Sequence, residues 1–458
     1  MISFSRKRII LFICSLAYFI ASLDTTIVNV ALPAIAKDYS ITLISTRNIP
    51  IVFNFVYGIS IPIGCYLSDK FGVKIIFILA ALLFGLSSLL CGFSSNLLTL
   101  EILRGLQGLS AAFFTPVARS IVIKYSSKET IVNNMANVFT IGLLAQTIGP
   151  FAGGMITAHL SWKWVFLINI PICMLVIVLG YIYLKNIKEE KTGGFDYFAF
   201  ASITIALTSF LFICDYIADW DIEAVKIFIA IVLCFGAAYV YYKYSKKKPL
   251  NIINTKLFKD KIFRSSILIS IAVRQGLSGM TFVYVMILSL VYGFKAEQIG
   301  NIILFFGLGV WTSKFLIPIL NKYIKIQKLI YWSAVSIFCC VLAIAFLVHF
   351  KSSVLFIIVL TICGASASLF YGYLNGMPLQ RIEKSDSSHA STIMSLVINV
   401  SQSSSISIFN IFFMSAGIMT AVTANKIFVS VIIMSLIIFS AILMMKFNKD
   451  FMNYEEPK

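Results

Sequence analysis

The sequence predicts an all-α polytopic membrane protein, and three observations carry that prediction. Hydrophobic residues make up 59% of the chain, with a mean hydropathy of +0.94. Charged residues make up only 12%, where a soluble domain carries about 25%. Those charges fall in short clusters between long apolar runs, the pattern of repeated bilayer crossings. A chain of 458 residues with this composition cannot present its surface to water.

Windows of about 20 apolar residues predict fourteen helices in order. Six lie near 9–32, 46–67, 75–94, 97–123, 131–158 and 162–184. Two more follow near 197–217 and 224–243. The last six lie near 263–291, 297–320, 327–349, 353–378, 388–417 and 425–446. Ile9–Leu32 follows a basic start, but it is longer than a signal-peptide core and contains Asp24, so it reads as a retained first helix. The grouping six, two, six predicts an N-terminal six-helix bundle over 1–190. Two additional helices with a basic linker span 191–250, and a C-terminal six-helix bundle with a short tail spans 251–458. Leu67-Ser68-Asp69-Lys70-Phe71 after the second window has an echo in Leu320-Asn321-Lys322-Tyr323 after the tenth. Related halves of this kind suit a site near the bilayer midplane.

The net charge of +18 invites a nucleic-acid partner, but its distribution excludes one. Alternate loops carry Arg6-Lys7-Arg8, Lys70/Lys74, Lys124/Lys128, Lys185/Lys188/Lys191, Lys243 through Arg264, Lys322/Lys325/Lys328, Arg381/Lys384 and Lys446/Lys449. The intervening loops hold only Lys37, Arg47, Lys163, Lys226, Lys295, Lys351 and Lys426, so about 26 basic residues face about 7. That asymmetry predicts a multi-pass membrane protein with both termini in the cytoplasm; the expected location is the inner (cytoplasmic) membrane.

Catalysis is not expected. The nine cysteines lie in apolar stretches without metal-ligand spacing, and no disulfide framework or metal site is predicted. No HxxxxD pairing follows His159, His349 or His389, and no GxxxxGK[ST] loop occurs.

Ionisable groups inside apolar spans are costly and are functional candidates by default. Four stand out: Asp24, Glu101, Arg104 and Arg274. At 1.5 Å per residue, Asp24 lies about 12 Å from the outer end of the first window, and Arg104 about 10 Å deep in the fourth. The two can therefore face each other at one level. Glu101 and Arg104 are also i,i+3 neighbours. Burial disfavours a charged carboxylate while a nearby arginine favours it, and this competition makes a proton switch. A static buried ion pair is the other reading. Arg274 lies near mid-membrane, about 17 Å from the inner end of its window. It is placed to meet an anionic or zwitterionic compound, or to contact polar neighbours such as Gln275. Gly149-Pro150 and Gly153-Gly154 suggest a bendable, closely packed helix at a moving seam, with plain packing as the alternative.

Several segments together resemble the major facilitator superfamily, in particular its fourteen-helix drug:proton antiporter branch. Leu23-Asp24-Thr25-Thr26-Ile27-Val28-Asn29-Val30-Ala31-Leu32-Pro33 resembles that branch's first-helix signature without a mismatch. Trp162 through Pro171 resembles its sixth-helix signature, with Lys163 in place of the usual arginine. Leu103-Arg104-Gly105-Leu106-Gln107-Gly108 resembles the fourth-helix motif whose arginine is implicated in proton transfer. Gly149-Pro150-Phe151-Ala152-Gly153-Gly154 resembles the antiporter motif, with Ala145 replacing an upstream glycine. Leu67 through Lys74 is similar to the loop that gates the inner side. It keeps Asp69, Gly72 and Lys74, while Cys65 and Val73 replace a glycine and a base. Phe195-Asp196-Tyr197 resembles the start of the extra helix pair. The motifs cover residues 23–197, and helix count alone extends the likeness beyond them.

The resemblance implies a fold of two six-helix bundles plus two central helices, and proton-driven export of small amphipathic compounds by alternating access. Asp24, Arg104 and Glu101 would couple the proton. Asn29, Gln107, Arg274 and Gln275 would line the cavity, and Asp69, Gly72, Lys74, Gly149, Pro150, Gly153 and Gly154 would gate it. No cofactor is expected beyond the proton gradient. The expected partners are a small-molecule substrate and the lipid bilayer. A monomer is expected, and a periplasmic adaptor stays open. Export of one endogenous metabolite or siderophore is the alternative; a membrane enzyme or a non-transporting sensor fits the residues less well.

Overall fold

A computed structural model of the chain describes residues 4–41, 44–188, 196–218, 224–247, 254–294, 296–383, 386–419 and 423–452. The domain limits expected at 190/191 and 250/251 lie outside the described residues. Among the described residues every regular element is helical, as a bilayer demands: a helix satisfies its own backbone groups where no water can. Twelve of these helices are long and apolar enough to cross a membrane. The chain divides into two compact units, Met1–Gly194 with Leu379–Ser395, and Phe195–Pro378 with Leu396–Lys458.

The first unit contains α1 (Phe4–Asp38), α2 (Asn48–Phe71), α3 (Val73–Gly92), α4 (Leu97–Tyr125), α5 (Ile131–His159), the single turn α6 (Trp164–Leu167) and α7 (Asn169–Tyr183). α4 is its axis: α2 and α3 pack along it, α1 packs on it as well, and from Ser110 to Tyr125 every residue of it is buried. Asn96 starts α4 by accepting a hydrogen bond from the Thr99 amide at 2.9 Å, which satisfies one of the free N–H groups of the first turn. Between α2 and α3, Gly72 adopts φ +101°, a conformation that L side chains rarely take. The Asn186 side chain occupies the space where a Cβ would sit and donates to the Phe71 carbonyl at 2.9 Å.

The second unit contains α8 (Tyr197–Ala218), α9 (Ala224–Lys247), α10 (Lys261–Leu277), α11 (Met280–Met286), α12 (Ala296–Tyr323), α13 (Ile326–Phe350) and α14 (Ser353–Gly376). It also contains α15 (Ser387–Met419) from Leu396 onward, α16 (Thr423–Phe447) and the short α17 (Lys449–Met452). α8 and α9 pair with each other. Asp196 caps α8 through the Ala199 amide at 3.0 Å and accepts from the Tyr244 hydroxyl of α9 at 3.1 Å. α14 packs against both α12 and α13, and α16 against both α13 and α10.

Two predicted elements are divided: the window 162–184 carries α6 and α7 with a turn at Ile168 between them, and the ninth window is broken more deeply. The single helix expected over 263–291 breaks after Leu277, resumes as α11, and closes in a π turn over Ile287–Val291. The cause is a hydroxyl set into the backbone ladder. Gly279 N–H donates to Ser405 Oγ at 2.8 Å, and Ser405 O–H donates to the Gln275 carbonyl at 2.9 Å. The i→i−4 bond between residues 279 and 275 is thereby replaced by two bonds through Ser405, an insertion of the kind that bends helices. Ser405 approaches the place of a Gly279 Cβ to 2.9 Å, so glycine is needed there.

Candidate functional site

Asp24 points from α1 toward α4, and four side chains from three helices close around it. Arg104 and Gln107 are i,i+3 neighbours on α4 and so present one face. Arg104 Nη1 donates to Asp24 Oδ2 at 2.5 Å and to Gln107 Oε1 at 2.5 Å. Gln107 Nε2 donates to Asp24 Oδ1 at 3.1 Å and to Ser88 Oγ of α3 at 2.7 Å. Asn169 Nδ2, at the start of α7, donates to Asp24 Oδ1 at 3.1 Å and to Ser88 Oγ at 3.4 Å. The guanidinium lies 4.2 Å from the centre of the Phe53 ring and 5.8 Å from that of Phe166. Asp24, Ser88, Gln107 and Asn169 are fully buried, and Arg104 is 1% exposed.

A charge pair this dry is held by geometry, because taking two ions out of water costs several kcal/mol per ion, roughly, before their attraction returns any of it. Arg104, Gln107 and Asn169 all meet the carboxylate as donors, so the network is complementary to its charged form. Adding or removing one proton at Asp24 therefore changes both the charge balance and the hydrogen-bond direction in the unit's interior. Glu101, one turn before Arg104, is half-buried, and its Oε1 has no partner among the described residues. Arg104 pairs with Asp24 across helices rather than with Glu101 along its own.

A second polar cluster lies in the same unit at its basic end, and most of it was not foreseen from the sequence. Arg119 of α4 is 1% exposed. Its Nη1 donates to the Ser391 carbonyl at 3.1 Å and to Ser395 Oγ at 3.0 Å, both in the first turns of α15. Ser120 Oγ donates to Ser391 Oγ at 3.1 Å. Asp69 accepts a hydrogen bond from Ser388 Oγ, and Lys124 Nζ lies 4.0 Å from its Oδ1. Lys74, expected to gate together with Asp69, instead donates to the Tyr181 carbonyl at 2.6 Å and sits 4.8 Å over that residue's ring. It ties α3 to α7.

The glycines of α5 mark its contact with α1. A methyl group at Gly149 would strike Thr26 Oγ1, and one at Gly153 would lie 2.7 Å from the Ile27 carbonyl oxygen. At Gly154 the nearest atom is Val30 Cγ1 at 3.9 Å, an ordinary contact. Pro150 stands within α5 between these positions.

The four expected cavity residues divide between the two units, Asn29 and Gln107 in the first and Arg274 and Gln275 in the second. Gln107 is sealed in the Asp24 network, and Asn29 is exposed and bonded to the Thr25 carbonyl of its own helix at 3.1 Å. Arg274 and Gln275 lie in the second unit, beside the break after α10. Arg274 Nε donates to Ser270 Oγ at 3.1 Å, and its guanidinium stacks 4.2 Å above the Tyr371 ring. Gln275 Nε2 donates to Ser404 Oγ at 2.7 Å. Ser88, Asn169 and Arg119 were missed. Asn169 stood inside a quoted signature, and Arg119 is an ionisable group inside an apolar window, the signal that singled out Arg104.

Two units of membrane-length helices, with a carboxylate–guanidinium pair sealed inside one of them, define a multi-span membrane transporter. The chain belongs to the major facilitator superfamily, whose family model matches residues 14–406. A relative from Haemophilus influenzae that carries the name transport protein HsrA is 31% identical over 389 residues, covering 85% of this chain and 84% of the relative. A relative from Pectobacterium atrosepticum with the name multidrug resistance protein MdtD is 26% identical over 400 residues, covering 87% and 85%. The human organic anion transporter MFSD10 shares the fold, with a TM-score of 0.70 at 12% identity over 96% of this chain and 99% of that one. These relatives are named as transport proteins and not as enzymes.

Proposed function

We propose that this transporter is a proton-coupled exporter of small amphipathic compounds, an antiporter working by alternating access in the cytoplasmic membrane. The observation that carries the reading is Asp24, fully buried and ion-paired to Arg104 at 2.5 Å. Protonation of Asp24 from outside cancels its charge and loosens Arg104; release of the proton inside restores the pair, with compound moving the opposite way. The basic-loop asymmetry supports both termini in the cytoplasm. The fourteen predicted windows fit that orientation if α8 and the broken α10–α11 series cross as well, since an even count returns the chain to its starting side. Arg274, a buried cation beside an aromatic ring, favours anionic or neutral compounds over cationic ones. The name borne by the Pectobacterium relative supports drugs as cargo.

The test is compound flux in proteoliposomes under an imposed pH gradient. The wild-type protein should drive compound against its gradient and dissipate ΔpH in return, and Asp24→Asn should do neither. Unchanged gradient-driven flux in that variant refutes the proton role.

A further inference from the structure

Asn169 is the one member of the Asp24 network with a spare acceptor. Gln107 uses both ends of its amide: Oε1 accepts from Arg104, and Nε2 donates to Asp24 and Ser88. Asn169 uses only its Nδ2 end. Its Oδ1 is buried without a hydrogen-bond partner among the described residues. Buried amide oxygens are seldom left so. The helix turn explains none of it, because α7 begins at Asn169 with its side chain turned inward to α1 and α3.

We propose that Asn169, assisted by Ser88, is the positioning residue that follows the protonation state of Asp24; this rests on the proton-coupling reading above. In the charged state the amide donates to Asp24 Oδ1. When a hydronium ion delivers its proton, water leaves and an O–H bond forms on the carboxyl. Oδ2 faces the guanidinium, so the proton settles on Oδ1. That O–H then faces the Nδ2–H of Asn169, two donors 3.1 Å apart between their heavy atoms. Gln107 cannot accept it, because its oxygen is held by Arg104 at 2.5 Å. Rotating the Asn169 amide by half a turn presents Oδ1 to the acid and turns the clash into a hydrogen bond. Ser88, which now accepts from both amides, can rotate its own hydroxyl proton toward the same oxygen. The half-turn exchanges the Asn169 donation to Ser88 for an acceptance from it, and the reverse rotation accompanies proton release.

The charged groups facing Asp24 are few. α4 contributes Arg104, while Cys91 of α3 and Cys173 of α7 lie within electrostatic reach. Glu101 stands one turn from Arg104. Among the described residues the carboxylate's hydrogen bonds run to Arg104, Gln107 and Asn169 and to neither thiol, so the amide is the group placed to answer its proton.

The experiment is infrared difference spectroscopy of the purified full-length transporter between acid and alkaline pH, with pH-dependent transport measured in proteoliposomes. A carbonyl band of a protonated carboxyl, absent in Asp24→Asn, assigns Asp24. In Asn169→Leu, similar in volume but without the amide, that band should persist and move to higher wavenumber, since its O–H has lost its acceptor. The half-maximal pH of transport should rise by about one unit, because a hydrogen bond to a charged group is about twice as strong as a neutral one and the charged form loses more. Ser88→Ala, a smaller change, should move both readouts the same way by less. Thermal melting of each variant confirms folding. A band at the wild-type wavenumber with an unmoved pH profile in both variants overturns the role of Asn169 while leaving Asp24 coupling intact. No Asp24-dependent band at any pH overturns the coupling reading, and this proposal with it.

Discussion

Arg104 Nη1 lies 2.5 Å from Asp24 Oδ2, with both side chains cut off from solvent. Across 80 residues of sequence this joins α1 to α4 at one depth, and it makes each residue's stability depend on the other's charge.

Asp24→Asn leaves a buried guanidinium without its counter-ion, and Arg104→Gln leaves a buried carboxylate. Each should destabilise the folded protein by about 3–5 kcal/mol, the cost of breaking a buried pair from one side. The double variant removes both charges and should recover much of that loss, because its residues are neutral hydrogen-bonding groups of similar size. Thermal melting of the three purified variants reads the cycle. Additive losses in the double variant would mean that the two charges do not stabilise one another.

The α5 seam separates glycines that the sequence treats alike. Gly149→Ala and Gly153→Ala place a methyl group against Thr26 Oγ1 and the Ile27 carbonyl, and overpacking of this kind costs about 1–3 kcal/mol. Gly154→Ala meets nothing closer than 3.9 Å and should be neutral. Melting temperatures of the three alanine variants check the order. If Gly154→Ala is as harmful as the other two, the packing account fails and a backbone requirement has to replace it.

Ser405 holds the break between α10 and α11 by accepting from Gly279 N–H and donating to the Gln275 carbonyl. Ser405→Ala removes both bonds and leaves two backbone groups unsatisfied, or lets the helix close across the gap. The first outcome costs about 1–3 kcal/mol per group and lowers the melting temperature. The second straightens the helix beside Arg274 and should alter compound affinity while the protein stays folded. A variant with wild-type melting and wild-type affinity would show that the inserted hydroxyl is dispensable.

Much of this architecture was legible in the sequence because a bilayer imposes one length and one polarity on every crossing. The windows at 97–123 and 131–158 match α4 and α5 within a few residues. The depth estimate that set Asp24 level with Arg104 used only the helical rise, and the two side chains do meet. The break at Ser278–Gly279 was not legible, because it depends on a serine about 130 residues away reaching into the ladder. Gln107 was expected in the cavity from the family resemblance; its bonds to Asp24 on α1 and Ser88 on α3 depend on helix packing, which the spacing on α4 does not show. Arg119 was within reach of sequence reasoning. Outside the loop clusters, the basic residues inside apolar windows are Arg104, Arg119, Arg274 and Lys314.

Arg119 supplies the last prediction. It is bonded to the Ser391 carbonyl and the Ser395 hydroxyl at the start of α15, and the thiol of Cys65, on α2 one turn before Asp69, lies beside Thr392 in the same segment. Cys65 is 3% exposed, sealed by the contact that Arg119 helps to hold. Arg119→Gln removes the charge from two hydrogen bonds, each worth about 1.5–3 kcal/mol when the donor is ionised. Opening of this end should therefore become more frequent by about tenfold or more, since about 1.4 kcal/mol is a factor of ten. In a variant that keeps Cys65 as its only cysteine, a membrane-impermeant maleimide should react faster by that factor once Arg119 is changed, and Arg119→Lys, which keeps one charged donor, should fall between. The same Cys65 background with Gly153→Ala, a destabilising change at the α1–α5 seam, controls for a general loosening. Equal labelling rates with and without the Arg119→Gln change would show that α15 is held in place by its other contacts, Ser388 with Asp69 and Ser391 with Ser120, and that the guanidinium has no part in keeping this end shut.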